Sequence, residues 1–181
     1  MPRYVAFLRA INVGGRVVKM QGLQELFEQL GFREVETFIA SGNVIFKSPA
    51  KTAASLEVKL ERLLQRELGY EVKTFVRSDA ELAEIAGQVP FGRASDSGDS
   101  TLYIGFLKTA PTSETCDRLL AAQTAVDAFR IVGRELYWLC RGRSSDSTFA
   151  GPKLEKTLRM PTTLRNSNTV LRISAKYPAR V

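Results

Sequence analysis

From Tyr4 to Arg77 the apolar residues switch repeatedly between a two-residue and a three-to-four-residue period, and the order of those switches constrains the fold more than any other property of the chain. Residues 4–11 form a short β-rich run that ends in Asn12-Val13-Gly14-Gly15, a strand followed by a glycine loop. From Lys19 onward, Met20, Leu23, Leu26, Phe27 and Leu30 recur at helical spacing until Gly31 supplies a stop. Residues 35–40 and 44–47 read as strands joined across Ser41-Gly42-Asn43, a hairpin-type turn. Leu56, Leu60, Leu63, Leu64 and Leu68 mark a second helix closed by Gly69, and residues 72–77 a fourth strand. The order is βαββαβ, the ferredoxin-like plan of four strands carrying two helices on one face. In the first strand Val5, Phe7 and Ile11 point one way and Tyr4, Ala6 and Leu8 the other, so both faces are apolar. Such a sheet needs two covers. The helices supply one, and the rest of the chain or a second copy in a homo-oligomer must supply the other.

Ser78-Asp79-Ala80-Glu81 is a capping-box pattern opening a short helix through Ile85. The serine-, glycine- and aspartate-rich stretch 92–100 is the best internal boundary, dividing a subdomain at 1–91 from one at 101–181. In the second, residues 101–107 read as a strand, and Pro111 and Ser113 introduce a helix bearing Leu119, Leu120 and Ala122. Residues 129–132 and 135–140 form a hairpin about Gly133-Arg134, and proline starts a short helix over Pro152–Leu158. This βαββα unit repeats most of the first, with no residue-level repeat evident. A C-terminal helix follows from Asn166, with Val170, Leu171, Ser174 and Tyr177 on one side. The fold class is α+β in two subdomains.

Charge is distributed unevenly over this plan. Residues 1–129 carry 15 Lys/Arg against 16 Asp/Glu, whereas residues 130–181 carry 11 against 3, a local excess of +8. A segment this basic points to a surface that meets phosphate or another polyanion. The absence of histidine removes Ser-His-Asp and Cys-His catalysis and HExxH zinc sites, and no metal or cofactor site is expected. Cys116 and Cys140 lack a CxxC spacing and read as reduced structural thiols. No apolar run near the start is long enough for a membrane span or signal segment, so a cytoplasmic protein is expected.

Four polar clusters could bind an anion. Arg9, Asn12, Gly14, Gly15, Arg16 and Lys19 form a strand-to-helix turn whose glycines let backbone N–H groups approach a ligand, although it is neither a Walker A loop nor GxGxxG; the glycines equally serve simply to turn the chain. Ser41-Gly42-Asn43 lies beside it if the first and third strands are central neighbours. The sheet lacks the stacking rings of an RNA-recognition motif, since Asn43 and Ile45 stand where those aromatics belong. Arg141-Gly142-Arg143-Ser144-Ser145-Asp146-Ser147, leading to Gly151-Pro152-Lys153, offers phosphate donors or a solvated loop. Last, Arg165, Asn166 and Asn168 either form a polar cluster for an anion or cap the final helix.

At Leu8-Arg9-Ala10-Ile11-Asn12-Val13-Gly14-Gly15, Ser41-Gly42-Asn43-Val44-Ile45-Phe46 and Thr163-Leu164-Arg165-Asn166-Ser167-Asn168-Thr169-Val170, the chain resembles the bacterial family known as domain of unknown function 1697. The resemblance implies two α+β subdomains, the first ferredoxin-like, and no particular activity. Members usually have glycine where Ala10 stands, Gly-Arg-Ser-Lys-Leu near Phe149-Ala150-Gly151-Pro152-Lys153-Leu154, and often an aromatic at Ser167. Three readings of function stay open. The protein is a module that recognises nucleic acid or another polyanion through its basic C-terminal region, it binds or turns over a small phosphorylated or anionic metabolite where the glycine loop meets the Arg165 cluster, or it is a scaffold. No residue set singles out catalysis.

Overall fold

The computed structural model describes residues 1–12, 14–39, 42–92, 98–149 and 152–179. The chain divides into two compact units, one formed by Met1–Glu84 with Ile173–Val181 and the other by Ile85–Arg172.

Unit 1 is built from β1 (Arg3–Leu8), α1 (Met20–Gln29), β2 (Arg33–Thr37), β3 (Asn43–Lys47), α2 (Ala53–Leu68) and β4 (Thr74–Ser78), after which α3 (Asp79–Gly87) begins. Its sheet runs β2-β3-β1-β4 with every pair antiparallel, the ferredoxin-like order. The strand β2 starts two residues earlier than the apolar pattern suggests and carries a register shift between Arg33 and Glu36. The helix α2 is bounded by Thr52, whose hydroxyl accepts from Ser55 N–H, and by Gly69 in the left-handed region. Leu23 and Phe27 of α1 pack with Leu56, Leu60 and Leu64 of α2 over Tyr4, Ala6, Leu8, Val44, Phe46 and Val76. On the other face Val5, Phe7, Ile45 and Phe75 are also buried. The capping box forms as the sequence suggests. Ser78 Oγ accepts from Glu81 N–H at 3.2 Å, and Glu81 Oε2 accepts from Ser78 N–H at 2.8 Å.

Unit 2 contains β5 (Ser100–Phe106), α4 (Ser113–Ala121), β6 (Asp127–Val132), β7 (Glu135–Arg141), α5 (Pro152–Leu158) and β8 (Thr163–Asn166), and the chain then enters α6 (Ser167–Lys176). The sheet order is β6-β7-β5-β8, antiparallel throughout. The second unit is therefore a full βαββαβ, one strand more than the pattern of its sequence indicates. Four residues, Thr-Leu-Arg-Asn, are too few and too polar to show a period of two, yet Thr163 and Arg165 are buried while Leu164 is half-buried. In α6 and just past its end the buried stripe is Val170, Ile173 and Tyr177; Leu171 is 46% exposed and lies off that side.

Strand register also exposes a repeat that direct reading of the sequence does not show. Val5 pairs with Arg77 as Ile104 pairs with Arg165, and Tyr4 with Ser78 as Tyr103 with Asn166. In that frame Tyr4-Val5-Ala6-Phe7-Leu8 matches Tyr103-Ile104-Gly105-Phe106-Leu107. The matched positions behave alike. Tyr4 stacks on Phe46 and Tyr103 on Trp138. Arg77 and Arg165 each turn a guanidinium back to the carbonyl of the preceding residue, Val76 and Leu164, at 2.8 Å. Glu61 accepts from Thr74 N–H at 2.8 Å, as Glu155 accepts from Thr162 N–H at 2.9 Å. These side chains occupy outward-facing backbone groups on β4 and β8, which blunts edges that would otherwise invite another strand.

Candidate functional site

At one end of the unit 1 sheet the first two clusters come together. Leu8 N–H donates to Gly42 O at 2.8 Å, and a Cβ at Gly42 would lie 3.0 Å from Ile11 Cγ2 and 3.2 Å from Leu8 Cβ. Asn43 is buried, its Nδ2 donating to Phe38 O across the turn. Ser41 lies outside the described residues. Asn12 Oδ1 accepts from Val18 N–H at 2.7 Å and fastens the glycine loop. Tyr70 holds the same loop from beneath: its hydroxyl donates to Ile11 O, and the Arg16 guanidinium sits 4.2 Å from its ring centroid. Gly14 and Gly15 are exposed at positive φ with open space above them, Lys19 is the exposed N-cap residue of α1, and Arg9 is half-buried with its N–H on Lys73 O. Among the described residues of this turn, Asn12, the two glycines, Arg16, Val17 and Lys19 are exposed.

In unit 2 the third cluster runs from the end of β7 into α5. Arg141 and Arg143 are exposed; Gly142 between them takes φ 88° and donates its N–H to Asp99 O at 2.6 Å, and a single 3₁₀ turn, Ser144–Asp146, follows. Sequence reading misses what anchors this loop, the buried carboxylate of Asp127. Its Oδ1 accepts from Trp138 Nε1 at 2.8 Å and from Ser147 Oγ at 2.6 Å, while Oδ2 accepts from Thr124 Oγ1 at 3.0 Å. Ser147 Oγ in turn accepts from Phe149 N–H at 3.0 Å. Lys153, exposed on α5, reaches Thr148 Oγ1 and sits over the Phe149 ring. Lys156 and Arg159, also missed, continue the exposed series at three-residue spacing, a signal that was present in the sequence. Burial, followed by the charges of Asp127 and Asp146, pushes the Cys140 thiol up, which makes it a poor nucleophile.

The fourth cluster divides between two roles. Asn166 Oδ1 accepts from Asn168 N–H at 2.9 Å and caps α6, with Asn168 exposed beside it. Arg165, only 7% exposed, donates from Nη1 to Thr163 Oγ1 and Leu164 O, each at 2.8 Å, and burial pushes its guanidinium down to about 10. A buried guanidinium already bonded to its own strand acts as a structural group. The glycine loop belongs to unit 1 and the Arg165 cluster to unit 2. Among the described residues no group of three His, Cys, Asp or Glu side chains could hold a metal ion, and no helix is long and apolar enough to cross a membrane.

Two ferredoxin-like units in one chain, with polar loops at their sheet ends, define an α+β fold of a kind that carries many unrelated functions. The chain belongs to the family described as Protein of unknown function (DUF1697), whose model matches residues 1–137. Among solved structures it is similar to a conserved bacterial protein from Streptococcus pneumoniae, at 21% identity over 99% of both chains and a TM-score of 0.79, a likeness of fold. No curated protein matches the chain.

Proposed function

We propose that the protein binds a nucleic acid or similar polyanion by tracking its phosphates with the basic surface of unit 2. One observation carries this reading. Arg141, Arg143, Lys153, Lys156 and Arg159 are all exposed, and among the described residues no carboxylate pairs with them. Elsewhere Lys47, Arg66, Lys73 and Lys176 of unit 1 and Arg118 of unit 2 each hold a glutamate. Of the three carboxylates in residues 130–181, Glu135 is buried and Glu155 is bonded to Thr162 N–H, which leaves Asp146 alone exposed among the cations.

Base stacking has no part in this mode. The central strands β1 and β3 bury Val5, Phe7, Asn43 and Ile45, and in unit 2 Tyr137 and Trp138 are buried, so neither sheet offers the open aromatic platform of an RNA-recognition motif. Contacts to phosphate alone give sequence-independent affinity, on the order of 10⁻⁴–10⁻⁶ M at physiological salt. Fluorescence anisotropy of a labelled duplex and a labelled single strand tests the reading at two salt concentrations. Binding that weakens steeply with salt and disappears in Arg141→Glu/Arg143→Glu supports it. An absence of binding at low salt refutes it and directs the search to small anions at the Gly14-Gly15 loop.

A further inference from the structure

The outer face of α2 in unit 1 carries a second positive surface with a different character. The buried stripe of this helix, Leu56, Leu60 and Leu64, faces the core, and its carboxylates Glu57 and Glu61 turn to the N–H groups of Val76 and Thr74 on β4. Beside exposed Gln65 and Glu67, the cations left outward are Lys59, Arg62 and Arg66. These line a groove of about 330 Å³ whose apolar wall is Leu30, Val58 and Leu63. Val58 is 48% exposed, although it is a large aliphatic residue on a helix with a complete buried stripe elsewhere. Lys59 leans on the end of α1, donating to Leu30 O at 3.1 Å, and Arg66 touches its neighbour Glu67. Among the described residues Arg62 makes no ion pair. Lys59, Arg62 and Arg66 stand three and four positions apart, so their charges fall on one side of α2.

We propose that this groove is a docking surface for an acidic amphipathic helix of a partner protein. From Lys59 to Arg66 the cations span about 10 Å along the axis, so that acidic residues at three- and four-residue spacing on a helix laid along α2 reach them in turn. An apolar side chain between those acids covers Val58 and the exposed edge of Leu30. Charge complementarity selects the acids and the apolar wall selects a peptide over a nucleic acid, because a phosphate backbone has nothing to place on Val58. The mode is a helix laid in a groove, read by a few anchors.

The probe is a labelled synthetic helix with leucine on one stripe and glutamate on the flanking positions. It is titrated against the full chain beside oligoglutamate of equal charge, a DNA duplex and anionic-lipid vesicles. The proposal predicts binding of the amphipathic helix that weakens about tenfold in Arg62→Glu and about tenfold in Val58→Asp, both exposed positions whose variants keep the wild-type circular dichroism and thermal midpoint. No binding of the helix overturns it. So does equal binding of oligoglutamate, or binding of duplex or vesicles that Arg62→Glu abolishes and Val58→Asp leaves intact. Arg141→Glu/Arg143→Glu leaves helix binding unchanged, which separates this surface from the basic surface of unit 2.

Discussion

Replacing Asp127 with alanine removes the acceptor shared by the Trp138 indole, the Ser147 hydroxyl and the Thr124 hydroxyl. Asp127 and Ser147 are buried and Trp138 is 2% exposed, so water cannot take over. Each buried donor left without a partner costs about 1–3 kcal/mol, and two of the three are stranded, which puts Asp127→Ala at about 2–6 kcal/mol. Asp127→Asn keeps Oδ1 for Trp138 and Ser147 but sets an amide donor against the Thr124 hydroxyl, so it forfeits that bond and the charge assistance, about 1–3 kcal/mol. Urea unfolding followed by tryptophan emission reads this site directly, because Trp138 is the sole tryptophan in the sequence. The shift should appear in the midpoint with an unchanged slope. Since Ser147 positions Phe149 ahead of α5, the alanine variant should also bind polyanion more weakly than the asparagine variant. A loss under about 1 kcal/mol for Asp127→Ala, or equal losses for the two variants, would refute the claim that this carboxylate anchors the loop.

Three further outcomes follow from backbone geometry and titration. Gly42→Ala combines a left-handed φ with a Cβ pressed on Ile11 and Leu8, and should cost about 3 kcal/mol in urea unfolding, whereas Gly14→Ala, equally left-handed but in open space, should cost about 1 kcal/mol; equal costs would dismiss the close packing of the two loops. Ala10 holds φ 54° without being glycine, so Ala10→Gly should raise stability by about 0.5–1 kcal/mol, and a lowered thermal midpoint would contradict that strain. Hydrogen bonds from the Tyr177 hydroxyl and then the Lys176 ammonium hold the Glu36 carboxyl below its usual range. A depressed carboxylate stabilises the fold above the unfolded value and loses that contribution as pH falls through the folded one. The thermal midpoint of the wild type should therefore exceed that of Glu36→Gln at neutral pH, with the gap closing in acid; a gap that persists in acid would show that the carboxylate charge is irrelevant.

The parts of this fold legible in the sequence are those whose packing imposes a period. In unit 1 the leucines of α2 and the alternating apolar residues of β1 are buried in the pattern their spacing implies, and the capping box at Ser78 forms. What stayed hidden depends on partners far away in sequence. β8 is a strand by its pairing with β5, and the contacts of Arg165 with its own backbone and of Glu155 with Thr162 beside it leave no periodic mark. The repeat between the units is confined to a five-residue stretch and a few buried polar positions, and needs strand register to align it. Among the candidate residues, Arg165, Asn166 and Asn43 proved to have structural work, as arginine and asparagine do when burial or a helix start claims them. The basic loop was readable from charge alone, while its anchor at Asp127 was not, because a single aspartate at the head of a strand resembles any turn residue.

The most direct test of phosphate tracking is the dependence of duplex affinity on salt, measured for the wild type and for Lys153→Ala/Lys156→Ala. Both lysines are exposed on α5. Each cation that neutralises a phosphate contributes roughly 0.9 to the slope of log K against log salt. The account predicts a steep negative slope for the wild type, reduced by close to two such increments in the double variant. Affinity independent of salt, or a slope unchanged by removal of both lysines, would contradict it.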